Sequence, residues 1–421
     1  MENINFSMNH CQIVFPRLNS DLFFDSDDYK KEIINYVEMG VGGFCLFNGS
    51  VDSTSKLINQ LQKIAEVPLL FAADFENGLP MRLSDGTSFP HSMALGKISE
   101  EYTFKISRAI AAEAKNIGVN WILAPVCDIN SNKDNPVINI RSFGENLEIV
   151  NKHLVSYIKG MQEHKVISCA KHFPGHGDSS IDSHIELPSI NKSFEELNEL
   201  ELLPFMDAIQ NGVKSIMVGH LSLPKIDNSN LPSSLSEKIL KGILRGYLGY
   251  QGLVVSDALD MKAIKDNFNT EKTCELALNA SVNILLMPPN PMEAIEYINK
   301  SKSITLKNQI NSSVNKILEL KSWCGVINKK STSYTPDKKF FFSNEKLALK
   351  AGLLSTEVID DKKLIRIKED SIISGYAVVD GDIENPSLFL KMLAQAIDND
   401  LDLGIIDENT TTTDIDRLTK I

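Results

Sequence analysis

The chain has no apolar run long enough to cross a bilayer, no cysteine pair at CxxC spacing and no excess of basic residues. Each absence excludes a class of function. A membrane span needs about 18 or more consecutive apolar residues, and the apolar runs here are strand-sized. The six cysteines (Cys11, Cys45, Cys127, Cys169, Cys274 and Cys324) are scattered singly, mostly inside apolar stretches. That is the pattern of buried reduced thiols, not of a disulfide framework. Lys and Arg total 43 against 55 Asp and Glu, a formal net charge of −12 with a pI near 5.3. No basic stripe is available to neutralise phosphates, which argues against a nucleic-acid partner or an anionic membrane surface. The first five residues carry an acid and no basic segment leading into an apolar stretch. The expectation is a soluble, cytoplasmic protein without a nucleic-acid or membrane partner; the sequence leaves the oligomeric state open, with a monomer favoured.

What is present is ordinary globular material: 421 residues, 43% hydrophobic and 23% charged, ample for a sizeable core. Short apolar runs predict strands at 12–15, 43–47, 69–73, 121–124, 166–170, 215–218, 253–256 and 283–287. Amphipathic patterns between them predict helices at 28–39, 53–65, 102–117, 147–164, 194–210, 236–248, 270–280 and 291–299. Ser53 and Ser236 are N-cap types, and Ser193 precedes Glu196 at capping-box spacing. Continuous rather than alternating apolar runs suit parallel strands buried on both faces. An open doubly wound sheet gives the same alternation, but eight strands each followed by a helix is the count of an α/β (β/α)8 TIM barrel. Polar residues follow most of the runs: Arg17, Asn48, Asp74, Asp128, Lys171, His220 and Asp257. In a barrel these converge on the C-terminal rim, where active sites form. Past residue 320 the pattern changes. Residues 328–339 read as a polar linker, and 340–421 offer a helix at 344–354 and strand-like pieces at 377–379 and 403–406. The expected division is a barrel over 1–327, a linker over 328–339 and a short or truncated α/β segment over 340–421.

One loop stands out. Residues 171–188 follow the strand at 166–170 and crowd Lys171, His172, His176, Asp178, Asp182, His184 and Glu186 among glycine, proline and serine. Metal binding is one reading, but the spacing fits no zinc pattern, because Pro174 and Gly175 break any helix that would align the histidines. No metal is expected. Acid/base chemistry is the other: an aspartate two residues before a histidine, Asp182 and His184, can accept the imidazole N–H and stabilise its cation. A polar loop that merely caps the rim is the plain alternative. A second focus is Asp257, at the end of the run 253–256, a candidate carboxylate nucleophile or else, with Asp260, a cap of the next helix. Segments 74–78 and 139–145 put charged residues near strand ends, suited either to hydrogen-bonding sugar hydroxyls or to structural ion pairs.

Taken together these segments closely resemble glycoside hydrolase family 3, in its β-N-acetylhexosaminidase (β-N-acetylglucosaminidase) branch. The resemblance rests on Lys171 to Gly177 with Asp182, Ser183 and His184, and on Ser256 with Asp257. Supporting stretches are 124–130, 135–138, 141–144 and 217–220, in family order over roughly residues 10–325. The resemblance implies a (β/α)8 barrel that releases non-reducing terminal β-linked N-acetylglucosamine, from chitin- or peptidoglycan-derived fragments, with retention. It implies Asp257 as nucleophile, His184 as general acid/base and Asp182 as its dyad partner. Asp74, Arg82, Arg141, Lys171 and His172 match sugar-binding positions, and no cofactor is implied. The stretch after Asp74 departs from the family's Glu-Gly-Gly-Arg-Val: it reads Glu76 to Met81, with Arg82 matching only the later arginine. The tail is about half the length of the sandwich that two-domain relatives carry. Two further readings stand beside hydrolysis. A histidine acid/base would not repel phosphate, so a phosphorylase on the same scaffold is one. A barrel that binds a sugar or partner without turnover is the other.

Overall fold

The computed structural model describes residues 9–179, 187–327, 334–336, 338–356, 373–378 and 401–406. Among these residues nine strands form the frame of the first compact unit, which runs to Thr356: β1 (Val14–Phe15), β2 (Arg17–Asn19), β3 (Gly43–Phe47), β4 (Leu70–Ala73), β5 (Trp121–Ile122), β6 (Ile167–Phe173), β7 (Ser215–Val218), β8 (Leu253–Ser256) and β9 (Leu285–Leu286). Strands β2 to β8 pair in chain order as one parallel sheet. At Pro16 the chain changes partner. Val14 pairs with Leu285 on β9, whereas Arg17 pairs with Cys45 on β3. Single bridges add Val255 to Ile284 and Val126 to Lys171.

The runs are buried throughout on β4, β6, β7 and β8, as strands covered on both faces must be. The sheet curls. Trp121 Nε1 on β5 donates to Ser215 Oγ on β7 at 2.9 Å, past the intervening strand, and Ser215 Oγ donates to Ser168 O on β6 at 2.8 Å. Phe15 and Trp121 meet edge to face at 5.6 Å in the same interior. Helices on the outside bury one stripe each against the strands. That of Glu100–Ile117 buries Ile106, Ile110, Ala114 and Ile117, and Gly118 ends it in the left-handed conformation at φ +97°.

Several elements differ in detail from expectation, for local physical reasons. The residues before β1 form a 3₁₀ turn, His10–Ile13, so only Val14–Phe15 of the first run is strand. Ser50, not Ser53, caps Val51–Ile64; Ser53 is the reciprocal partner of its capping box. Ser193 and Glu196 do form a capping box. The helix foreseen at 194–210 is two helices, Phe194–Glu199 and Leu203–Gln210, because Pro204 has no N–H to donate and fits only a first turn. Ile304–Trp323 is a twenty-residue helix absent from the expected set, its apolar stripe diluted by Asn, Ser and Lys. Lys338–Ser355 is also helical and belongs to the first unit. The second unit starts at Glu357; its described residues are two parallel strands, β10 (Ile373–Val378) and β11 (Leu401–Ile406), with Ile373 opposite Leu401.

Candidate active site

The C-terminal ends of the strands surround a cavity of about 680 Å³. Its lining includes Asp74, Arg82, Arg141, Lys171, His172 and Asp257, six of the eight residues singled out in the sequence. The other two, Asp182 and His184, lie outside the described residues.

Asp74 follows β4 directly, and Glu76 lies two residues further on. Lys171, within β6, is 2% exposed and bridges both: its Nζ lies 2.9 Å from Asp74 Oδ1 and 2.7 Å from Glu76 Oε1. Arg82 reaches back from a tight turn after Leu79–Met81 and donates from Nη2 to Asp74 Oδ2 at 2.7 Å. Arg141 forks onto Glu76, Nε to Oε2 at 3.0 Å and Nη2 to Oε1 at 2.7 Å, and donates to Val137 O. Two carboxylates and three cations thus form one continuous network.

Burial alone would push these carboxyls up; the cations more than offset it. Lys171 and Arg82 hold Asp74 down at about 2. Arg141 and Lys171 hold Glu76 well below the usual carboxylate range. Burial likewise opposes charge on Lys171, but Asp74 and Glu76 raise its pKa above the usual value. Asp74, Glu76, Lys171 and Arg141 are therefore charged at neutral pH.

A second layer organises the loop after β6. Asp128 Oδ2 accepts from His172 Nδ1 at 2.8 Å and from the His172 backbone N–H at 3.1 Å. Its Oδ1 accepts from the His176 N–H at 2.6 Å. His172 Nε2 faces Arg141 Nη2 at 3.5 Å; since the arginine can only donate, the pattern assigns the Nδ1–H tautomer. Asn135 donates to the carbonyls of His176 and Gly177 and accepts from the N–H groups of Val137 and Ile138, tying this loop to the one that carries Arg141. Gly177 is required by space: a Cβ there would lie 1.7 Å from Ile129 O.

Asp257 follows β8 directly, with its N–H on Val218 O at 2.9 Å, and its Oδ1 accepts from the Ala258 N–H at 2.8 Å. His220, wholly buried, donates from Nε2 to Ala258 O at 3.0 Å and pairs Nδ1 with Ser234 Oγ at 2.7 Å, so it supports the turn that aims the carboxylate. Burial raises the Asp257 carboxyl, but His220, His172 and the Ala258 N–H outweigh it and keep its pKa below the ordinary range. At neutral pH it is an ionised carboxylate in a cavity wall, which is what a nucleophile must be.

Sequence reasoning placed Asp128 and His220 at strand ends without giving them roles. It treated Glu76 only as part of its segment. The usable signal was the polar residue following each buried run. Arg17 and Asp260 also line the cavity, joined at 2.9 Å. Phe47 lies beneath the guanidinium groups of both Arg17 and Arg82, 4.1 and 4.9 Å from its ring centre. Among the described residues no three His, Cys, Asp or Glu side chains gather as metal ligands.

Comparison with known proteins is consistent with this geometry. Beta-hexosaminidase A of Pseudoalteromonas piscicida is 38% identical over 273 residues, 59% of this chain and 46% of that protein. A beta-N-acetylglucosaminidase/beta-glucosidase of Cellulomonas fimi is 31% identical over 310 residues, 70% of this chain and 55% of that one. The chain therefore spans about half the length of these two curated relatives. The structure of a glycoside hydrolase family 3 beta-N-acetylglucosaminidase from Paenibacillus sp. str. FPU-7 superposes with a TM-score of 0.84 at 28% identity, covering 99% of this chain and 82% of that one. The sequence profile of the Glycosyl hydrolase family 3 N terminal domain matches residues 13–320, and the chain belongs to that family.

Proposed function

We propose that this chain is a retaining glycoside hydrolase that releases non-reducing terminal β-linked N-acetylglucosamine from chitin- or peptidoglycan-derived fragments. The observation that carries the reading is the ionised Asp257 in the wall of a cavity whose neighbouring wall is the Asp74–Arg82–Lys171–Glu76–Arg141 network. Such a network presents fixed donors and acceptors to sugar hydroxyls, and binding there holds the anomeric carbon within reach of one carboxylate. Asp257 attacks that carbon and forms a glycosyl ester. His184, backed by Asp182, protonates the leaving oxygen and then takes a proton from the incoming water. Retention requires the acid/base and nucleophile on opposite sides of the anomeric carbon, with about 5–5.5 Å between the two carboxyls in the usual pair. The β6 loop, anchored through Asp128 and Asn135, leads directly to Asp182 and His184.

The supporting scaffold is read as a closed (β/α)8 barrel. The change of partner at Pro16, from β9 to β3, and the Val255–Ile284 bridge support closure. In this reading residues 1–327 are the catalytic barrel, 328–339 the linker and 340–421 a shortened α/β segment, whose opening helix lies within the first compact unit. The enzyme is read as a cytoplasmic monomer acting on small carbohydrates. Its acidity and its six unpaired, buried cysteines support the cytoplasmic reading. No described helix is long and apolar enough to cross a membrane.

The test is release of 4-nitrophenol from its β-N-acetylglucosaminide and its β-glucoside, side by side, with and without phosphate. Turnover of the N-acetylglucosaminide in phosphate-free buffer is expected. Asp257→Asn, which removes the covalent route, is expected to lower it by on the order of 10³ or more. A folded protein that turns over neither sugar, or an Asp257→Asn variant at wild-type rate, overturns the reading. Turnover that requires phosphate makes the chain a phosphorylase instead.

A further inference from the structure

The helix Lys338–Ser355 connects to the cavity's loop through one fully buried carboxylate and through a longer direct contact, Phe341 O, 3.4 Å from the Thr87 hydroxyl. Glu113, on the helix Glu100–Ile117, has no exposed surface and forms no ion pair among the described residues. Its oxygens are satisfied by three neutral donors. The Thr87 hydroxyl donates to Oε1 at 2.5 Å and the Thr87 N–H to Oε2 at 3.2 Å. The side-chain amide of Asn344 donates to Oε1 at 2.8 Å. A carboxylate buried without a cation depends on every such donor, because no water can replace one that is lost.

Thr87 belongs to the loop that carries Arg82. That loop leaves β4 through Asp74 and Glu76 and returns at Phe89, whose N–H donates to Asn77 O at 2.8 Å. Its two arms touch backbone to backbone: Gly78 sits at φ +116°, and a Cβ there would lie 2.1 Å from Thr87 O. The outgoing arm is held by the Ser84 N–H on Gly49 O and by Asp85 Oδ1, which accepts from the Val51 N–H. The returning arm is held at Thr87, chiefly by Glu113 and at longer range by Phe341 O of the helix Lys338–Ser355. Arg82, five residues before Thr87, spends Nη2 on Asp74, and its buried Nε has no partner among the described residues.

Resting on the sugar-binding reading of this cavity, we propose that Thr87, Glu113 and Asn344 are positioning residues, a buried relay by which the helix Lys338–Ser355 holds the Arg82 loop against Asp74. Thr87 supplies two of the three bonds, so a shift of the loop breaks both together. Asn344 supplies the third from an element more than 200 residues later in the chain, 231 positions from Glu113. The helix is then part of the sugar-binding machinery although it never touches the sugar.

The experiment uses the full chain with Thr87→Val, Thr87→Ser and Asn344→Ala, read by hydrogen exchange over residues 79–87 and by KM and kcat for the β-N-acetylglucosaminide. Thr103→Val is the control: it removes another buried hydroxyl from the same helix as Glu113, one bonded to His153. Thr87→Val and Asn344→Ala are expected to speed exchange over 79–87 by about tenfold and to raise KM about three- to tenfold with kcat within about twofold. Thr87→Ser, which keeps the hydroxyl, restores both readouts. Thr103→Val lowers the melting temperature and leaves both unchanged. The relay is overturned when Thr87→Val and Asn344→Ala lower the melting temperature but leave exchange over 79–87 and KM at wild-type values. A wild-type chain without turnover would sink the hydrolase reading alone, and the exchange data would then decide the relay.

Discussion

Lys321 should make this protein less stable at neutral pH than a variant lacking it. The side chain lies near the end of the helix Ile304–Trp323 with no exposed surface, and among the described residues its Nζ has one partner, Gln12 Oε1 at 2.5 Å. No carboxylate pairs with it among the described residues. Burial pushes its pKa from 10.5 down to about 7. The unfolded chain therefore binds a proton that the folded chain binds poorly between about pH 7 and 10.5, and in that window stability rises with pH. Linkage gives a penalty of about 4 kcal/mol at pH 7 that falls to about 1 kcal/mol at pH 10. Lys321→Met keeps the length of the side chain and removes the charge, at the cost of leaving Gln12 Oε1 without its donor, about 1–3 kcal/mol. The net gain at pH 7 is then about 1–3 kcal/mol, and it vanishes or reverses by pH 10. The change in the gain between the two pH values, about 3 kcal/mol, does not depend on the Gln12 cost. The assay is urea unfolding of wild type and variant at pH 7 and pH 10, followed by tryptophan fluorescence. Both tryptophans, Trp121 and Trp323, lie in the first unit. A difference between the two proteins that is the same at both pH values would refute the reasoning.

Two further expectations concern the cavity. Lys171→Met removes the cation shared by Asp74 and Glu76, and although Arg82 and Arg141 remain, the loss should cost about 3–5 kcal/mol of stability and raise KM. Calorimetry and kinetics on the same preparation check it, and a variant unchanged in both refutes it. Gly177→Ala forces the β6 loop away from Ile129 O. Because that loop leads to Asp182 and His184, kcat should fall by about tenfold or more while the melting temperature moves by a few degrees, and equal activity at equal stability would count against the loop's role.

Local features were legible wherever the cause was local. The Ser193–Glu196 box is legible because a cap needs only residues three apart, whereas residue type alone points to Ser53 when Ser50 fills that role one turn earlier. Pro204 broke a helix that periodicity had joined across residues 194–210. The helix Ile304–Trp323 leaves no clear periodic trace, because its buried face includes Ser313 and Lys321, polar residues that blur the apolar period. The polar residue after each strand run pointed to the right end of the sheet, and Asp74, Lys171 and Asp257 do line one cavity there.

The amino-acid sequence determined, by itself, the alternation of strands and helices, the parallel character of the sheet and the segments bearing the cavity's charges. Burial on both faces, capping and proline chemistry act over a few residues and leave periodic traces in the chain. The partners of those charges were decided only in three dimensions. Lys171 meets Asp74 across 97 positions, Arg141 meets Glu76 across 65, and Asn344 meets Glu113 across 231. A charge carries no mark of its partner, and pairing follows from which strand ends the curled sheet brings side by side. The same packing leaves Lys321 with a neutral acceptor and Asp257 ionised, because a pKa is set by the surroundings a folded chain supplies.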